Sequence, residues 1–310
     1  MKYSIIVPVY QNQDSIPKLM SNLSLLSEKL NNDLEVIFVI DGSTDKSQEL
    51  ITTGGKDKKF KAQIINHSKN FGSFAAINTG LKHDNAEYSS TYSADCQEPI
   101  SLIEDFFEVL EKNSVDVVFG QREERIDSVL TRIFSNLFWS IYRVTIDSDM
   151  PKGGVDIFGC NKAFRSELIK LEESRSSLIA LAFWLGFERR TVKYTRLARE
   201  GGKSTWTFRK KLNYFLDSLF SFTDFPIKLL LTGGAIGVFF SIILGSVVLI
   251  LKIYGDIKVP GYSPTILLIL FFGALNVFGI GLVGSYAWRA YENSKRRPNA
   301  VVSKIYKVAE

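Results

Sequence analysis

Apolar runs and helical spacings alternate along the first 120 residues. Ser4–Val9 is a continuous apolar run, as expected of a parallel strand buried on both faces. From Asp14 to Leu30, Ile16, Leu19, Met20, Leu23, Leu26 and Leu30 recur at helical spacing, with Asp14 or Ser15 as N-cap and Pro17 in the first turn. Glu35–Ile40, Ala62–Asn66, Tyr88–Tyr92 and Val115–Phe119 read as the next strands. A helix opening at Asn70-Phe71-Gly72 and another over Leu102–Lys112 separate some of them. Strand–helix alternation of this kind predicts an α/β domain with a mostly parallel sheet and flanking helices. Farther on, Ile126–Tyr142 and Leu178–Phe187 have helical patterns, and Val155–Phe158 and Thr191–Ala198 read as strands.

The pattern changes after residue 202. Lys203–Phe225 mixes basic and aromatic residues at roughly helical spacing, which fits a helix lying in the headgroup plane or a surface helix of the globular domain. Leu229–Leu251 and Thr265–Trp288 carry no charge, and each exceeds the ~20 residues that cross a ~30 Å hydrocarbon core. The expected organisation is a globular domain over 1–202, an interfacial region over 203–226, a two-helix transmembrane hairpin over 227–290 and a basic tail over 291–310.

Charge and cysteine content narrow the picture. The net charge is +5 over 310 residues, and basic residues cluster beside the apolar segments, so a membrane surface is a better partner than nucleic acid. Arg209, Lys210, Lys211 and Lys228 on one side of the hairpin, and Arg289, Lys295, Arg296 and Arg297 on the other, place both chain ends in the cytoplasm by the positive-inside rule. The chain's opening residues read as a first strand, not a signal peptide. Cys96 and Cys160 have neither CxxC spacing nor a nearby histidine, so a zinc site or disulfide framework is not indicated.

The candidate chemistry lies where predicted strands end: Pro8-Val9-Tyr10, Asp41-Gly42-Ser43-Thr44-Asp45 and Ser93-Ala94-Asp95-Cys96-Gln97-Glu98-Pro99. Open α/β sheets bind ligands at the carboxyl ends of their strands. Asp95 and Gln97 form a compact oxygen set for Mg2+ or Mn2+, or else belong to an ordinary acidic turn. Asp41 either accepts from a nucleobase NH or caps the following helix as an Asx-turn residue. His67 and His83 receive no role.

Taken in order, Ile5–Tyr10, Asp41–Asp45, Asn70–Ala76 and Ala94–Pro99 resemble the successive motifs of family 2 GT-A glycosyltransferases. Gly120–Arg125, Gly154–Phe158, Arg196–Ser204, Ser221–Pro226, the apolar pair and Lys295–Pro298 resemble the branch that uses polyprenyl phosphate as acceptor. That branch includes dolichyl-phosphate mannose synthases and bacterial undecaprenyl-phosphate glucosyltransferases of the GtrB type.

The resemblance implies a GT-A, Rossmann-like fold in the bacterial cell membrane, and inverting transfer of a hexose from a nucleotide-diphosphate sugar to polyprenyl phosphate. UDP-glucose is the expected donor, with GDP-mannose or a UDP-amino sugar, another lipid acceptor, or a non-catalytic scaffold as alternatives. It further implies that Pro8, Val9, Tyr10, Asp41, Asn70, Gly72, Ala94 and Asp95 bind the nucleotide sugar, and that Asp95 and Gln97 hold the metal. Asp156 becomes the base or orienting group near the acceptor, unless it is a structural carboxylate paired to an arginine. Arg122, Arg125, Arg199, Lys203 and Ser204 face the acceptor phosphate, unless Arg122 and Arg125 form a solvated helix start. Relatives in this branch imply a homotetramer. The sequence differs from the common pattern at Ile40 and Ser93, where aspartates are usual, and at Cys96, Glu98 and Ser285.

Overall fold

A computed structural model describes residues 1–55, 59–112, 115–122, 155–173, 177–197, 225–254 and 262–308. The chain forms two compact units: Met1–Ser218 together with Pro298–Glu310, and Leu219–Arg297.

The first unit is built on an eight-stranded sheet. Its strands are β1 (Tyr3–Val9), β2 (Leu34–Ile40), β3 (Lys61–His67), β4 (Tyr88–Thr91), β5 (Val117–Arg122), β6 (Val155–Asn161), β7 (Arg189–Tyr194) and β8 (Val302–Val308). They lie in the order β7-β5-β6-β4-β1-β2-β3-β8. Six helices belong to the described part of this unit: α1 (Ile16–Lys29), α2 (Ser47–Gly54), α3 (Ser73–His83), α4 (Ile100–Lys112), α5 (Lys162–Leu168) and α6 (Leu178–Trp184). The apolar run of β1 sits at the centre, with Ile5, Ile6, Val7 and Val9 fully buried. Helix α3 lies so close to β1 that a Cβ on Gly80 would come within 2.3 Å of Ile6 Cγ2. Helix α4 seals the sheet with Leu102, Ile103, Phe106, Phe107 and Leu110.

The sheet is mixed, where the hydrophobic pattern predicts mostly parallel pairing. Strands β1–β2, β1–β4, β2–β3 and β5–β7 pair in parallel, whereas β6 runs antiparallel to both β4 and β5. A buried strand is apolar on both faces whichever way it runs, so its direction leaves no mark in the pattern. The stretch read as a basic tail contains β8, which pairs antiparallel with the outer edge of β3. Strand β5 extends to Arg122, which places that residue on a strand end and not at a helix start. The expected helices at 126–142 and 203–224 lie outside the described residues.

One buried ion pair ties α5 to the sheet. Arg165 donates to Asp84 Oδ2 at 2.8 Å, to the Ala86 carbonyl at 2.8 Å and to Ser89, and both charged side chains are almost wholly buried.

The second unit contains α7 (Phe225–Ile253) and α8 (Tyr262–Ser294), which cover and overrun both apolar runs read from the sequence. Among the described residues one span, Phe271–Ser294, is long and apolar enough to cross a membrane; Pro226–Gly237 is apolar but shorter. Phe271, Val277, Phe278 and Ile280 point outward on α8, an apolar surface unusual for a helix in water.

Candidate active site at the carboxyl edge of the sheet

Parallel pairing brings several chain reversals to one edge. Val9 is in register with Ile40, Ile40 with Asn66, and Ile6 with Thr91, so β1, β2, β3 and β4 all end on the same side. The loops that follow carry Tyr10, Asp41, Asn70 and Asp95.

The first two loops are knotted together by the Asp41–Ser47 segment. Ser43 Oγ accepts from Gln11 N at 2.8 Å, Ser47 Oγ from Asn12 N at 3.1 Å, and Asp45 Oδ2 from Gln13 N at 3.0 Å. Asp45 also accepts from the hydroxyls of Ser43 and Ser47 at 2.6 and 2.8 Å and from Ser47 N at 3.2 Å. Burial pushes the Asp45 carboxyl up, but these hydrogen bonds outweigh it and hold the group below its ordinary range. Gly42 has φ +66°, and a Cβ there would lie 2.5 Å from Asn70 N and Lys69 C. Only glycine allows the β2 loop to pass this close over the β3 loop. An open depression of about 500 Å3 lies on the outer side of this knot, between Gln13 and Thr53, and neither Asp41 nor Asp95 lines it.

Asp41 is 2% exposed. Its Oδ1 accepts from Phe71 N and its Oδ2 from Gly72 N, each at 2.8 Å. These amides precede α3, so the carboxylate stands at the helix's positive end. His67 Nδ1 lies 2.8 Å from Asp41 Oδ1, and Nε2 lies 2.9 Å from Thr79 Oγ1. With Nδ1 protonated, the ring donates to Asp41 and accepts from the threonine hydroxyl. Asp41, His67 and Thr79 thus form a buried strut joining β2, β3 and α3.

The Asp95 turn is supported from three directions. Tyr92 donates to the Glu98 carbonyl at 3.1 Å and accepts from Asn22 Nδ2 at 3.3 Å. Ser15, at the N-cap of α1, makes no capping bond; its hydroxyl donates to the Ala94 carbonyl at 2.7 Å and to Asn12 O at 3.0 Å. From beyond β7, Leu197 N donates to the Gln97 carbonyl at 2.8 Å, and Arg196 Nη2 donates to Gln97 Oε1. Between Asp95 and Gln97, Cys96 has φ +51°, a left-handed conformation that costs an L-residue about 1–2 kcal/mol. Burial raises the Cys96 thiol to about 11. Burial, reinforced by the neighbouring thiol, also raises the Tyr92 hydroxyl, so both stay neutral at physiological pH.

Several expected site residues take different positions from those read in the sequence. Val9 and Ala94 have their side chains in the core, so only their main chains reach the edge. The Val9 carbonyl accepts from Asp41 N at 2.9 Å. Gln97 Oε1 accepts from the Arg196 guanidinium. Pro8 is partly buried, Tyr10 is 36% exposed, and Asn70 is exposed. Arg122 Nε lies 3.4 Å from the Tyr194 hydroxyl. Asp156 falls on β6, with its side chain outside the description, and Arg125, Arg199, Lys203 and Ser204 lie outside the described residues. His67 and Arg196 carry no individual role in the sequence reading, and Ser15 reads there only as a helix N-cap, not as a support of the Asp95 turn. Single polar residues in apolar or loop contexts carry no periodic signal.

Among the described residues no three His, Cys, Asp or Glu side chains cluster as a metal cage. A hard cation that keeps several waters and takes its remaining ligands from substrate phosphates needs only one or two carboxylates. Asp95 fits that requirement, and Gln97 Oε1, which accepts one bond from Arg196, keeps a second lone pair.

A mixed α/β sheet that gathers polar loops at the carboxyl ends of its parallel strands has the architecture of an open α/β ligand-binding protein. Residues 4–171 match glycosyl transferase family 2, and the chain belongs to that family. CsbB of Bacillus subtilis is 28% identical over 96% of this chain and 90% of its own length. The bactoprenol glucosyl transferase of Shigella phage SfV is 27% identical over 97% of this chain and 98% of its own. Among solved structures, the mannosyltransferase PcManGT from Pyrobaculum calidifontis, in complex with GDP-Man and Mn2+, is 15% identical, with a TM-score of 0.47 over 66% of this chain and 58% of that one.

Proposed function

We propose that this glycosyltransferase moves a hexose from a nucleoside diphosphate sugar, UDP-glucose or a close analogue, to undecaprenyl or another polyprenyl phosphate. The observation that carries the reading is the coexistence of the Asp95 turn, at the carboxyl edge of the sheet, with an apolar span long enough to cross a membrane. The full-length likeness to a bactoprenol glucosyl transferase supports it.

A divalent cation, Mg2+ or Mn2+, would be held by Asp95 and the donor's own phosphates; it would neutralise charge on the departing nucleoside diphosphate. The chain's residues do the remaining work. Tyr10 and Asn70 flank the donor's nucleoside, and Asp41 sets the course of the Phe71–Gly72 main chain beside it. Arg122, Arg125, Arg199 and Lys203 neutralise the acceptor phosphate, and Ser204 donates a hydrogen bond to it. That phosphate is already anionic near neutral pH, since its second pKa is about 6. Alignment of two anions and charge neutralisation therefore matter more than a strong base. Asp156 orients the acceptor or takes its residual proton. Both α7 and α8 enter the bilayer, with the catalytic unit and both chain ends on the cytoplasmic side.

The test is incubation of detergent-solubilised protein with undecaprenyl phosphate, Mn2+ and a panel of labelled nucleotide sugars. One donor giving an organic-extractable, acid-labile sugar phosphate of inverted configuration supports the proposal. Transfer only to water-soluble acceptors would sink it.

A further inference from the structure

We infer that Arg196 is a positioning residue that sets the Asp95–Gln97 turn, and with it the affinity of the site for its metal–nucleotide ligand. The inference rests on the proposed function only for its second readout.

The turn leans on its neighbours. Cys96, at its middle, sits in the left-handed region at φ +51°, which an unbranched L-residue occupies only when its surroundings impose it. The nearest internal bond, Cys96 N to Ser93 O, is long at 3.2 Å. The turn is gripped from outside at both ends: Ser15 takes the Ala94 carbonyl, and Arg196–Leu197 take both oxygens of Gln97. Gln97 is therefore fixed by a backbone bond and a charge-assisted side-chain bond from the same two residues. Such bonds are stronger than neutral ones.

The guanidinium is not optimised as a structural anchor. Arg196 Nε is buried and has no hydrogen-bond partner among the described residues. A buried donor without a partner costs stability, so its presence calls for a reason other than anchoring. The contrast is Arg165, whose guanidinium donates to a carboxylate, a hydroxyl and a carbonyl. Arg196 also stands at the head of the basic Arg196–Ser204 segment, so the contact joins the Asp95 turn directly to that stretch of chain.

The experiment uses the full-length protein and its Arg196→Ala, Arg196→Lys, Gln97→Ala and Arg196→Ala/Gln97→Ala variants. Hydrogen exchange over Ser93–Glu98 is measured first, without metal or nucleotide. Loss of one charge-assisted bond is expected to raise exchange in Arg196→Ala by about tenfold. Arg196→Lys should recover part of the protection, and the double variant should match Gln97→Ala. UDP binding is then titrated with Mn2+. The Mn2+ concentration for half-maximal binding is expected to rise by about tenfold in Arg196→Ala, with no further rise in the double variant. Unchanged exchange in Arg196→Ala overturns the inference. So do additive effects of the two substitutions, which would make Arg196 a direct ligand contact. Wild-type protein that binds no UDP with Mn2+ refutes the donor assignment, and the exchange data then decide the role of Arg196 independently.

Discussion

Replacing Asp41 by alanine separates two roles that the sequence leaves open, a helix cap and a nucleobase contact. The substitution strips the acceptor from the Phe71 and Gly72 amides and leaves His67 Nδ1 without its partner. A lost cap costs about 1 kcal/mol, and a buried group left unsatisfied costs about 1–3 kcal/mol. With two amides and one imidazole affected, the total is about 3–5 kcal/mol. For a unit of this size that lowers the melting temperature by roughly 6–20 °C. Thermal unfolding of wild type, Asp41→Ala, His67→Ala and the double variant measures it. The strut also predicts coupling between the two positions of about 0.5–3 kcal/mol, as for residues in one hydrogen-bond network. An unchanged melting temperature in Asp41→Ala, with UDP binding abolished, would refute the strut and make Asp41 a ligand contact.

Other substitutions probe separate links. Arg165→Ala should cost about 3–5 kcal/mol by leaving Asp84 buried and uncompensated, whereas an apolar replacement of both partners should be far milder; paired unfolding curves compare them. Asp45 has a carboxyl pKa depressed in the folded state, so its contribution is present above the unfolded value of about 4 and is lost as pH falls through the lower folded value. The stability gap between wild type and Asp45→Asn should therefore narrow in acid below about pH 4, and a constant gap would contradict the assignment. Gly42→Ala should destabilise the protein by more than the ~1 kcal/mol of an ordinary loop change, because φ +66° and the Asn70 backbone both oppose a Cβ. Ending the chain at Ala300 removes β8 and exposes the edge of β3, so limited proteolysis should cut the β3 region faster.

The central strands and helices were legible because their apolar positions are regular. The runs of β1 and β2 and the 3.6-residue stripe of α1 specify buried elements without tertiary context. The meeting of Tyr10, Asp41, Asn70 and Asp95 at one edge followed from parallel strands ending together. Direction and edge effects were not legible. Strand β6 looks the same read either way. Strand β8, Val-Ser-Lys-Ile-Tyr-Lys-Val, carries lysines that suit an edge strand but read as a solvated tail. Polar side chains were hardest of all. Nothing near Gln97 announces the bond its side-chain oxygen accepts from Arg196, 99 positions away in sequence. His67 looks like a lone histidine until α3 brings Thr79 against it. Their roles depend on distant partners that no local spacing encodes.

The most direct test of the account is the initial rate of sugar transfer to undecaprenyl phosphate by wild type and Asp95→Asn at saturating Mn2+, with melting temperatures measured alongside. The account predicts a lipid-linked product from the wild type and a loss of at least about 100-fold in a folded Asp95→Asn protein, the scale on which removing one electrostatic stabiliser acts. Full activity in Asp95→Asn, or no lipid-linked product from folded wild type with any nucleotide sugar, would contradict it.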